Sequence, residues 1–218
     1  MPPDSPDAQA KRARILDVAE DLFFERGYRG ATMSELTTRL GVTKPFVYYY
    51  FRDKDEIYET LCWRASHACL TALRWDEADP RPAVDMLREG LTRFAHANID
   101  HFKAGTFYYR EPGALKPAFR RRLRALAQGF YSDLCGLLER GRAQGALNFA
   151  DTKLTALAVG SVVGFMYTWY RPDGRYDRDR MTTEVAAILW RIVGLDQGGA
   201  PALSPQGLSR PPAPLSAL

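Results

Sequence analysis

The stretch GVTKPFVYYYFRDK, residues 41–54, decides how the first part of the chain folds. Gly41 is typical of a residue that ends a helix, and Thr43 can cap a second, short helix that has Pro45 in its first turn. Proline is tolerated there because the first N–H groups of a helix have no partner within it. Four aromatic residues, 48–51, then follow one another. A core favours leucine and isoleucine at such positions, so the tyrosines require an explanation.

The short helix predicted here has two different faces. Neighbouring residues of a helix point about 100° apart, so Tyr48 and Tyr49 cannot both face the core. Val47 and Phe51, four residues apart, are predicted to point inward. A tyrosine hydroxyl can bind a phosphate oxygen, and Lys44 places a cation at the helix start. The pattern fits a DNA-binding surface, and packing of the tyrosines against neighbouring helices is the alternative.

Two further helices are predicted before this stretch. Apolar residues recur on one helical face within residues 8–26. Thr32 and Glu35 have the spacing of a capping box at the start of a second helix, which ends at Gly41. Two short helices joined by a tight turn form a helix-turn-helix, the second helix of which enters the major groove of DNA. Residues 26–54 hold six basic and two acidic residues, a balance that favours phosphate.

The composition is that of a globular protein. The chain has 218 residues, of which 26% are charged and 46% hydrophobic, and a formal net charge of +4. No apolar run approaches the roughly 20 residues of a membrane span, and the first residues do not resemble a secretory signal. The three cysteines lack Cys-x-x-Cys spacing, which argues against a disulfide framework. We therefore expect a cytoplasmic protein that makes no membrane contact.

The remaining chain also follows a helical period, so the expected fold class is all-α. Asp53 and Glu56 repeat the capping-box spacing at the start of a helix that is predicted to reach about Arg74. Later helices are predicted at 81–103, 115–140, 152–170 and 178–193, with proline and glycine between them. The expected parts are a flexible N-terminus at 1–7, a helix-turn-helix domain at 8–53, a larger helical domain at 54–196, and a disordered Pro/Gly/Ser tail at 197–218.

The stretch ILDVAEDLFFERGYRGATMSELTTRLGVTKPFVYYYFRDKDEIYETL resembles the N-terminal domain of the tetracycline-repressor (TetR) family of bacterial transcription regulators, and the resemblance covers roughly residues 10–62. The shared features are F-x-x-x-G-Y at the end of the first helix, A-T at the start of the second, L-G-V-T-K at the turn, and Y-Y-Y-F before a lysine and an acidic helix start. The resemblance implies a three-helix DNA-binding domain followed by an effector-binding and dimerisation domain at 54–196. It implies a ligand-responsive regulator, most often a repressor of transcription.

The resemblance also implies a set of DNA contacts. Lys44 and Pro45 would lie nearest the bases, with Tyr49 directed toward them, whereas Tyr48 and Tyr50 would touch phosphates. At the position of Phe46 the family often has a small residue, so this side chain either packs inward or sets an unusual base preference. Lys54 would approach phosphate from the fourth helix. The full predicted set is Thr32, Ser34, Thr43, Lys44, Pro45, Phe46, Tyr48, Tyr49, Tyr50 and Lys54.

The last two long helices, at about 152–170 and 178–194, are apolar almost all the way round. Burial within one chain is one explanation, and a homodimer interface is the other. The resemblance favours the dimer, because the family usually pairs through these helices. Small residues in the first helix would permit close helix approach; they are Ala158, Gly160, Ser161 and Gly164.

The middle of the chain is rich in large aromatic residues, which can line an apolar cavity as well as fill a core. The aromatic set is Trp63, Phe94, Phe102, Phe107, Tyr108, Tyr109, Phe130, Tyr131, Phe165 and Trp169. His67, His96, His101 and Arg110 are possible polar anchors in such a cavity. The effector-binding residues predicted from this set and its surroundings are Trp63, His67, Phe102, Phe107, Arg110, Arg121, Phe165 and Trp169.

The segment KPAFRRRLR, residues 116–124, brings four arginines together. A solvated helix face is the preferred interpretation, and the mouth of a site for an anionic effector such as an acyl-coenzyme A is the alternative. The segment TWYRPDGRY, residues 168–176, is similar to the matching turn of family members that sense acyl-CoA thioesters.

No enzyme motif is present: HExxH, GxSxG, a P-loop and GxGxxG are all missing from the sequence. His96 and His101 are five residues apart, which does not place them on one helix face, and the cysteines lack zinc spacing. We therefore predict no catalytic residue, no metal site and no cofactor. The alternative to a DNA-binding regulator is a helical adaptor or cavity-containing protein that binds a partner or small molecule without DNA.

Overall fold

The computed structural model describes residues 5–195, and every regular element in that range is helical, as the all-α prediction requires. A 3-10 turn at Pro112–Ala114 lies between the sixth and seventh helices. The helices are α1 Pro6–Gly30, α2 Met33–Leu40, α3 Lys44–Tyr50, α4 Lys54–Leu70, α5 Ala83–Asp100, α6 Phe102–Arg110, α7 Pro117–Ala143, α8 Thr152–Gly164, α9 Met166–Trp169 and α10 Arg178–Ile192.

The predicted ends of the chain are only partly covered. The tail predicted to be disordered, 197–218, lies outside the described residues, and so do residues 1–4 of the predicted flexible N-terminus. Pro6 and Asp7, also within that predicted N-terminus, belong to the first helix, and Ser5 is its N-cap. The Ser5 hydroxyl oxygen accepts a hydrogen bond from the Ala8 amide at 3.3 Å, which caps α1 and fixes its first turn.

Local sequence signals set the geometry of α2 and of the turn that follows it. The Thr32 hydroxyl oxygen accepts a hydrogen bond from the Glu35 amide at 3.1 Å. At the other end, Gly41 has a φ of 68°, a left-handed conformation that suits glycine, and the Val42 amide donates to the Thr37 carbonyl at 3.1 Å. These bonds fix the tight turn between α2 and α3.

The buried side chains form two clusters. The first joins α1, α2 and α3 to the first half of α4 and to side chains of α6 and α7, with Ile15, Leu36, Val47 and Ile57 almost fully buried. The second joins the end of α4 to α5, α7, α8 and α10, and α10 packs along α5. Because α4 contributes to both clusters, it connects the helix-turn-helix to the larger helical bundle. The domain boundary at residue 54 stays a prediction.

Three predicted helices have different bounds in the structure. The fourth ends at Leu70 rather than about Arg74, and the one predicted at 81–103 breaks at His101. The break has a tertiary cause, because Glu20 of α1 accepts a hydrogen bond from the Ala104 amide at 3.0 Å and so caps α6 from outside. The helix predicted at 152–170 is divided at Phe165. Among the described residues, no helix is long and apolar enough to cross a membrane.

Candidate DNA interface and effector cavity

The surface of α3 has the two faces that its sequence predicts. Val47 and Phe51 are buried, with 0% and 1% of their surface exposed. Tyr48 and Tyr49 are 48% and 56% exposed, which is unusual for large aromatic side chains. Lys44 is also exposed at the start of this helix. The tyrosines therefore point to solvent rather than into the core, and the packing alternative does not describe them.

Phe46 and Tyr50, one helical turn apart on α3, are less exposed than Tyr48 and Tyr49. Phe46 is half-buried, and its ring centroid is 5.3 Å from that of Tyr50. Tyr50 itself is only 8% exposed and belongs to the first hydrophobic cluster, with Tyr49 packed edge-on against it at 5.1 Å. This position corrects the prediction for Tyr50, since a side chain packed into the core has little surface to offer a phosphate.

The start of α2 and the start of α3 add polar and apolar side chains to the same part of the domain. Thr32, Ser34, Thr43 and Pro45 are all exposed. Thr43 makes no capping hydrogen bond through its side chain, so its hydroxyl is not engaged within its own helix. The predicted contact residues other than Tyr50, Phe46 and Lys54 are thus accessible on the surface.

Two arginines of α1 hold the ends of the helix-turn-helix, and sequence reasoning did not identify them. Arg14 donates to the Leu40 carbonyl at the end of α2, at 3.1 Å. Arg12 donates to the Tyr50 carbonyl at the end of α3, at 2.9 Å, and its guanidinium lies 4.2 Å from the centroid of the Phe51 ring. Cations stabilise the carbonyl ends of helices, where the peptide dipoles leave partial negative charge. The bonds span 26 and 38 residues, so no local pattern could reveal them.

Lys54 has a structural role in this conformation. Its ammonium donates to the Tyr28 carbonyl at 2.7 Å and to the Ala31 carbonyl at 2.9 Å, and it lies 4.2 Å from the centroid of the Tyr28 ring. The lysine therefore joins the start of α4 to the end of α1. This differs from its predicted direction toward phosphate, because the unpaired carbonyls at the end of α1 are nearer partners.

The end of α6 also contacts the DNA-binding helices. Gly27 interrupts α1 with a φ of 72°, and the following amide, that of Tyr28, donates to the Glu111 carboxylate at 2.6 Å. In the adjacent core, the Tyr58 ring of α4 stacks on the Phe107 ring of α6, with centroids 5.1 Å apart. The contacts that tie the larger bundle to α1 and α4 thus include a charged hydrogen bond and an aromatic stack.

A cavity of about 160 Å³ lies among α4, α5, α6, α7 and α8. Its wall is mostly apolar, with polar groups from Ser66, Asn98 and three tyrosines, and Arg124 contributes a cation. An apolar wall with a few polar groups is the usual make-up of a small-molecule site. The lining residues are Ala65, Ser66, Cys69, Leu70, Phe94, Asn98, Gly105, Tyr108, Tyr109, Leu123, Arg124, Ala127, Phe130, Tyr131, Gly160 and Val163.

None of the eight predicted effector-binding residues lines this cavity, so the structure does not bring the predicted set together around it. Trp63 and His67 face a separate shallow groove on α4. Phe107 is buried against Tyr58, and Arg110 donates to the Phe24 carbonyl at 3.3 Å.

The other predicted residues lie elsewhere on the bundle. The Phe102 ring packs edge-on against Tyr170 at 4.7 Å, and the Arg121 side chain is exposed. Phe165 and Trp169 are 63% and 53% exposed. The cavity is lined instead by five other members of the aromatic set. These residues are as apolar as the predicted ones, and the orientation of each helix decides which of them face the cavity; the five are Phe94, Tyr108, Tyr109, Phe130 and Tyr131.

The last long helices have one buried face and one exposed apolar face. Val159 of α8 and Leu189 of α10 are fully buried in the second cluster. The exposed large apolar residues are Leu154, Leu157, Phe165, Trp169 and Ile188. One face is therefore buried within the chain, and the homodimer interface stays a prediction for the exposed face.

Two small residues of α8 have a different use from the predicted one. A side chain at Gly160 would collide with the Tyr131 hydroxyl, and one at Gly164 would contact the Tyr109 hydroxyl at 3.3 Å. Within this chain, these glycines make room for cavity tyrosines.

The titratable groups do not suggest catalysis. Within residues 5–195, no group of three or more His, Cys, Asp or Glu side chains could hold a metal ion. The three cysteines are free thiols, and burial raises the pKa of the Cys69 thiol to about 12. Such a thiol is protonated, and therefore unreactive, at neutral pH.

The fold and its exposed α3 surface define a class of protein, the helix-turn-helix DNA-binding proteins that have a second, helical domain. A family model for bacterial regulatory proteins of the tetR family matches residues 15–61. A second, for the tetracyclin repressor-like C-terminal domain, matches residues 80–193. The chain therefore belongs to the tetR family of bacterial regulatory proteins.

Individual relatives agree with this assignment. The HTH-type transcriptional repressor BepR of Brucella suis is 26% identical over 180 residues, which cover 78% of this chain and 86% of BepR. The crystal structure of the TetR family regulator PfmR from Thermus thermophilus matches with a TM-score of 0.71 at 28% identity, covering 84% of this chain and all of that chain.

The structure of AibR in complex with isovaleryl coenzyme A and operator DNA matches with a TM-score of 0.65. It covers 82% of this chain and 97% of that chain, and at 20% identity it shows the fold alone. The chain is thus a DNA-binding transcription regulator and not an enzyme, and both predictions are confirmed.

Proposed function

We propose that this regulator is a homodimeric repressor that leaves its operator when a small, largely apolar effector enters the cavity. The observation that supports this most directly is the position of α4 and α6. Both helices line the cavity, through residues such as Ser66 and Tyr108, and both also contact the DNA-binding helices. An effector that moves either helix would therefore move the helix-turn-helix.

The proposed DNA contacts follow the exposed surface of α2 and α3. Lys44 and Pro45 enter the major groove nearest the bases, and Tyr49 points toward them. Tyr48 binds phosphate through its hydroxyl. Phe46 supports this surface from behind by packing on Tyr50. Thr32, Ser34 and Thr43 add phosphate contacts at the two helix starts.

The proposed dimer forms through the exposed apolar faces of α8 and α10. An exposed patch that includes Leu154, Leu157 and Ile188 is a common mark of an interaction surface. A dimer places two helix-turn-helix units on two half-sites separated by about one helical turn of DNA or a multiple of it. Its place of action is the cytoplasm, where bacterial DNA lies.

The proposed mechanism is a shift between two conformations of the dimer. The effector binds one state more tightly, and in this state the spacing of the two helix-turn-helix units does not match the operator. Useful switching requires a differential affinity on the order of 1–3 kcal/mol. The bond from the Tyr28 amide to Glu111 and the packing of the Phe23 ring against Tyr58 and Phe107 connect the two domains in this scheme.

The effector class has one specific candidate. An acyl-CoA thioester would place an acyl chain in the apolar cavity and its phosphates near the arginines of residues 120–124. The fold neighbour AibR was solved with isovaleryl coenzyme A, which supports this choice by analogy only.

Selection of DNA from a random pool by the full-length protein tests the proposed function. We expect enrichment of a palindrome with two half-sites, and we expect Tyr49→Ala to reduce the discrimination between this palindrome and random DNA by about tenfold or more, as loss of a base contact does. Tyr176→Ala, which removes a tyrosine from the segment before α10, is the matched control and should leave discrimination unchanged. Unaltered discrimination by Tyr49→Ala would refute the proposed groove contact.

A further inference from the structure

Four arginines of α7 lack acidic partners. Arg120, Arg121, Arg122 and Arg124 form no ion pair with any carboxylate among residues 5–195, whereas some arginines elsewhere do, such as Arg39 with Glu25 and Arg178 with Asp100. Other unpaired arginines are spread along the chain, but these four lie within five residues. Like charges this close on a helix repel one another. The unpaired positive charge is therefore a feature that the fold alone does not explain.

One of these arginines lines the cavity, and two more are its neighbours on the helix surface. Arg124 is exposed and also lines the cavity, so it lies at the opening. Arg120 and Arg121 precede it by four and three residues, which makes them its neighbours on the helix surface. The Nε atom of Arg120 is buried and has no hydrogen-bond partner within the described chain. Arg122 points elsewhere, with its guanidinium 4.3 Å from the centroid of the Trp63 ring.

The interior of the cavity sets a size limit. Its volume of about 160 Å³ is bordered by apolar side chains such as Leu70, Phe94, Phe130 and Val163. An apolar cavity of about 150 Å³ accommodates a benzene molecule, and sites for drug-sized ligands are about 300 Å³ or larger. The space therefore fits a short acyl chain or one aromatic ring.

We infer that the effector is an amphipathic anion with an apolar group of about six carbons or fewer. The apolar group occupies the cavity, and the anionic group binds Arg124, Arg121 and Arg120 at its opening. Guanidinium groups form paired, charge-assisted hydrogen bonds with carboxylates and with phosphates alike. The anion is therefore either a free carboxylate or the phosphates of a coenzyme A thioester. This inference rests on the proposed function, since it assigns the ligand of the same cavity.

Isothermal titration calorimetry on the full-length protein compares four probes: hexanoate, hexanoyl-CoA, neutral 1-hexanol and hexadecanoyl-CoA. We expect hexanoate or hexanoyl-CoA to bind at least about tenfold more tightly than 1-hexanol, the gain that one charge-assisted hydrogen bond supports. Binding by the free acid alone would identify a carboxylate site, and binding by the thioester alone would identify a phosphate site. Hexadecanoyl-CoA should bind more weakly than hexanoyl-CoA because its chain exceeds the cavity.

Two variants distinguish anion binding at this site from a general effect of the positive charge of the protein. Arg124→Gln should weaken binding of the anion by about tenfold or more, and Arg122→Gln, which removes the same charge from the Trp63 side of the helix, should leave it unchanged. The inference would be overturned if 1-hexanol bound as tightly as hexanoate, or if hexadecanoyl-CoA bound more tightly than hexanoyl-CoA. It would also be overturned if the two variants had equal effects, or if neither anion bound. Operator binding without ligand, measured on the same samples, shows whether the proposed function stands independently.

Discussion

Gly27→Ala changes a glycine inside α1 whose backbone conformation requires glycine. The same residue lies next to the bond that joins α1 to the larger domain. The backbone there has a φ of 72° and a ψ of 165°, a combination that other residues almost never adopt. The new Cβ atom would also lie 2.6 Å from the Glu111 carboxylate oxygen, which accepts the hydrogen bond from the Tyr28 amide. The substitution therefore strains the backbone and displaces Glu111 at the same time.

The size of the effect follows from these two terms. Forcing a side chain into this backbone region costs about 1–3 kcal/mol. A hydrogen bond to a charged group contributes about 1.5–3 kcal/mol. The two terms arise at neighbouring residues and do not add fully, so we expect the free energy of unfolding to fall by about 3 kcal/mol. For a chain of this length, that corresponds to a melting temperature lower by roughly 6–12 °C.

Gly30→Ala is the matched control for this measurement. Gly30 lies in the same helix, its φ is not positive, and its added Cβ would meet only the Arg26 Cβ at 3.6 Å, an ordinary contact. We expect this variant to be neutral or stabilised by up to about 1 kcal/mol, as alanine is in a helix. Both variants are unfolded thermally at one protein concentration, since dimerisation changes the apparent stability. Equal melting temperatures for the two variants would refute the reasoning.

A double variant isolates the contribution of Glu111. Glu111→Ala removes the acceptor of the Tyr28 amide without changing the backbone of α1. If the collision with Glu111 contributes to the effect, Gly27→Ala should destabilise the Glu111→Ala protein by less than it destabilises the original protein. Strictly additive losses would assign the whole effect to backbone strain.

Two further predictions concern pH and assembly. A hydrogen bond from the Tyr28 hydroxyl, together with the ion pair to Lys116, holds the pKa of Asp55 below its usual value. The ionised Asp55 therefore stabilises the fold fully above the unfolded pKa of about 3.9, and this contribution is lost as pH falls through the lower pKa of the folded state. Chemical denaturation at a series of pH values should therefore show less loss of stability below about pH 4 in Asp55→Asn than in the original protein, and parallel losses would contradict this assignment. Leu157→Asp, which puts a charge on the exposed apolar face of α8, should convert the dimer to a monomer of 24.6 kDa in sedimentation velocity. Gln128→Asp on α7 is its control and should remain dimeric, and a dimeric Leu157→Asp protein would exclude this face as the interface.

The helix-turn-helix could be predicted from the sequence because its signals are local. Thr32, Gly41 and Asp53 each fix a helix end through bonds to residues no more than five positions away. The exposed tyrosines followed from helical spacing alone, given that Val47 and Phe51 occupy the inward face.

The cavity could not be predicted because its signals are tertiary. Helices α4 to α8 have apolar residues on several faces, so only their packing decides that Phe94 and Tyr131 line the cavity while Phe165 and Trp169 face outward. The break between α5 and α6 depends likewise on Glu20, which is 84 residues away from the amide it caps.

The central claim is that the exposed surface of α3 reads DNA, and a fluorescence-anisotropy titration tests it most directly. The full-length protein is titrated with a labelled duplex that contains the selected palindrome and with a scrambled duplex of the same composition, each at two salt concentrations. The account predicts tighter binding to the palindrome, with an affinity for both duplexes that falls as salt rises, since phosphate contacts release counterions. The absence of binding to either duplex at low salt would contradict it.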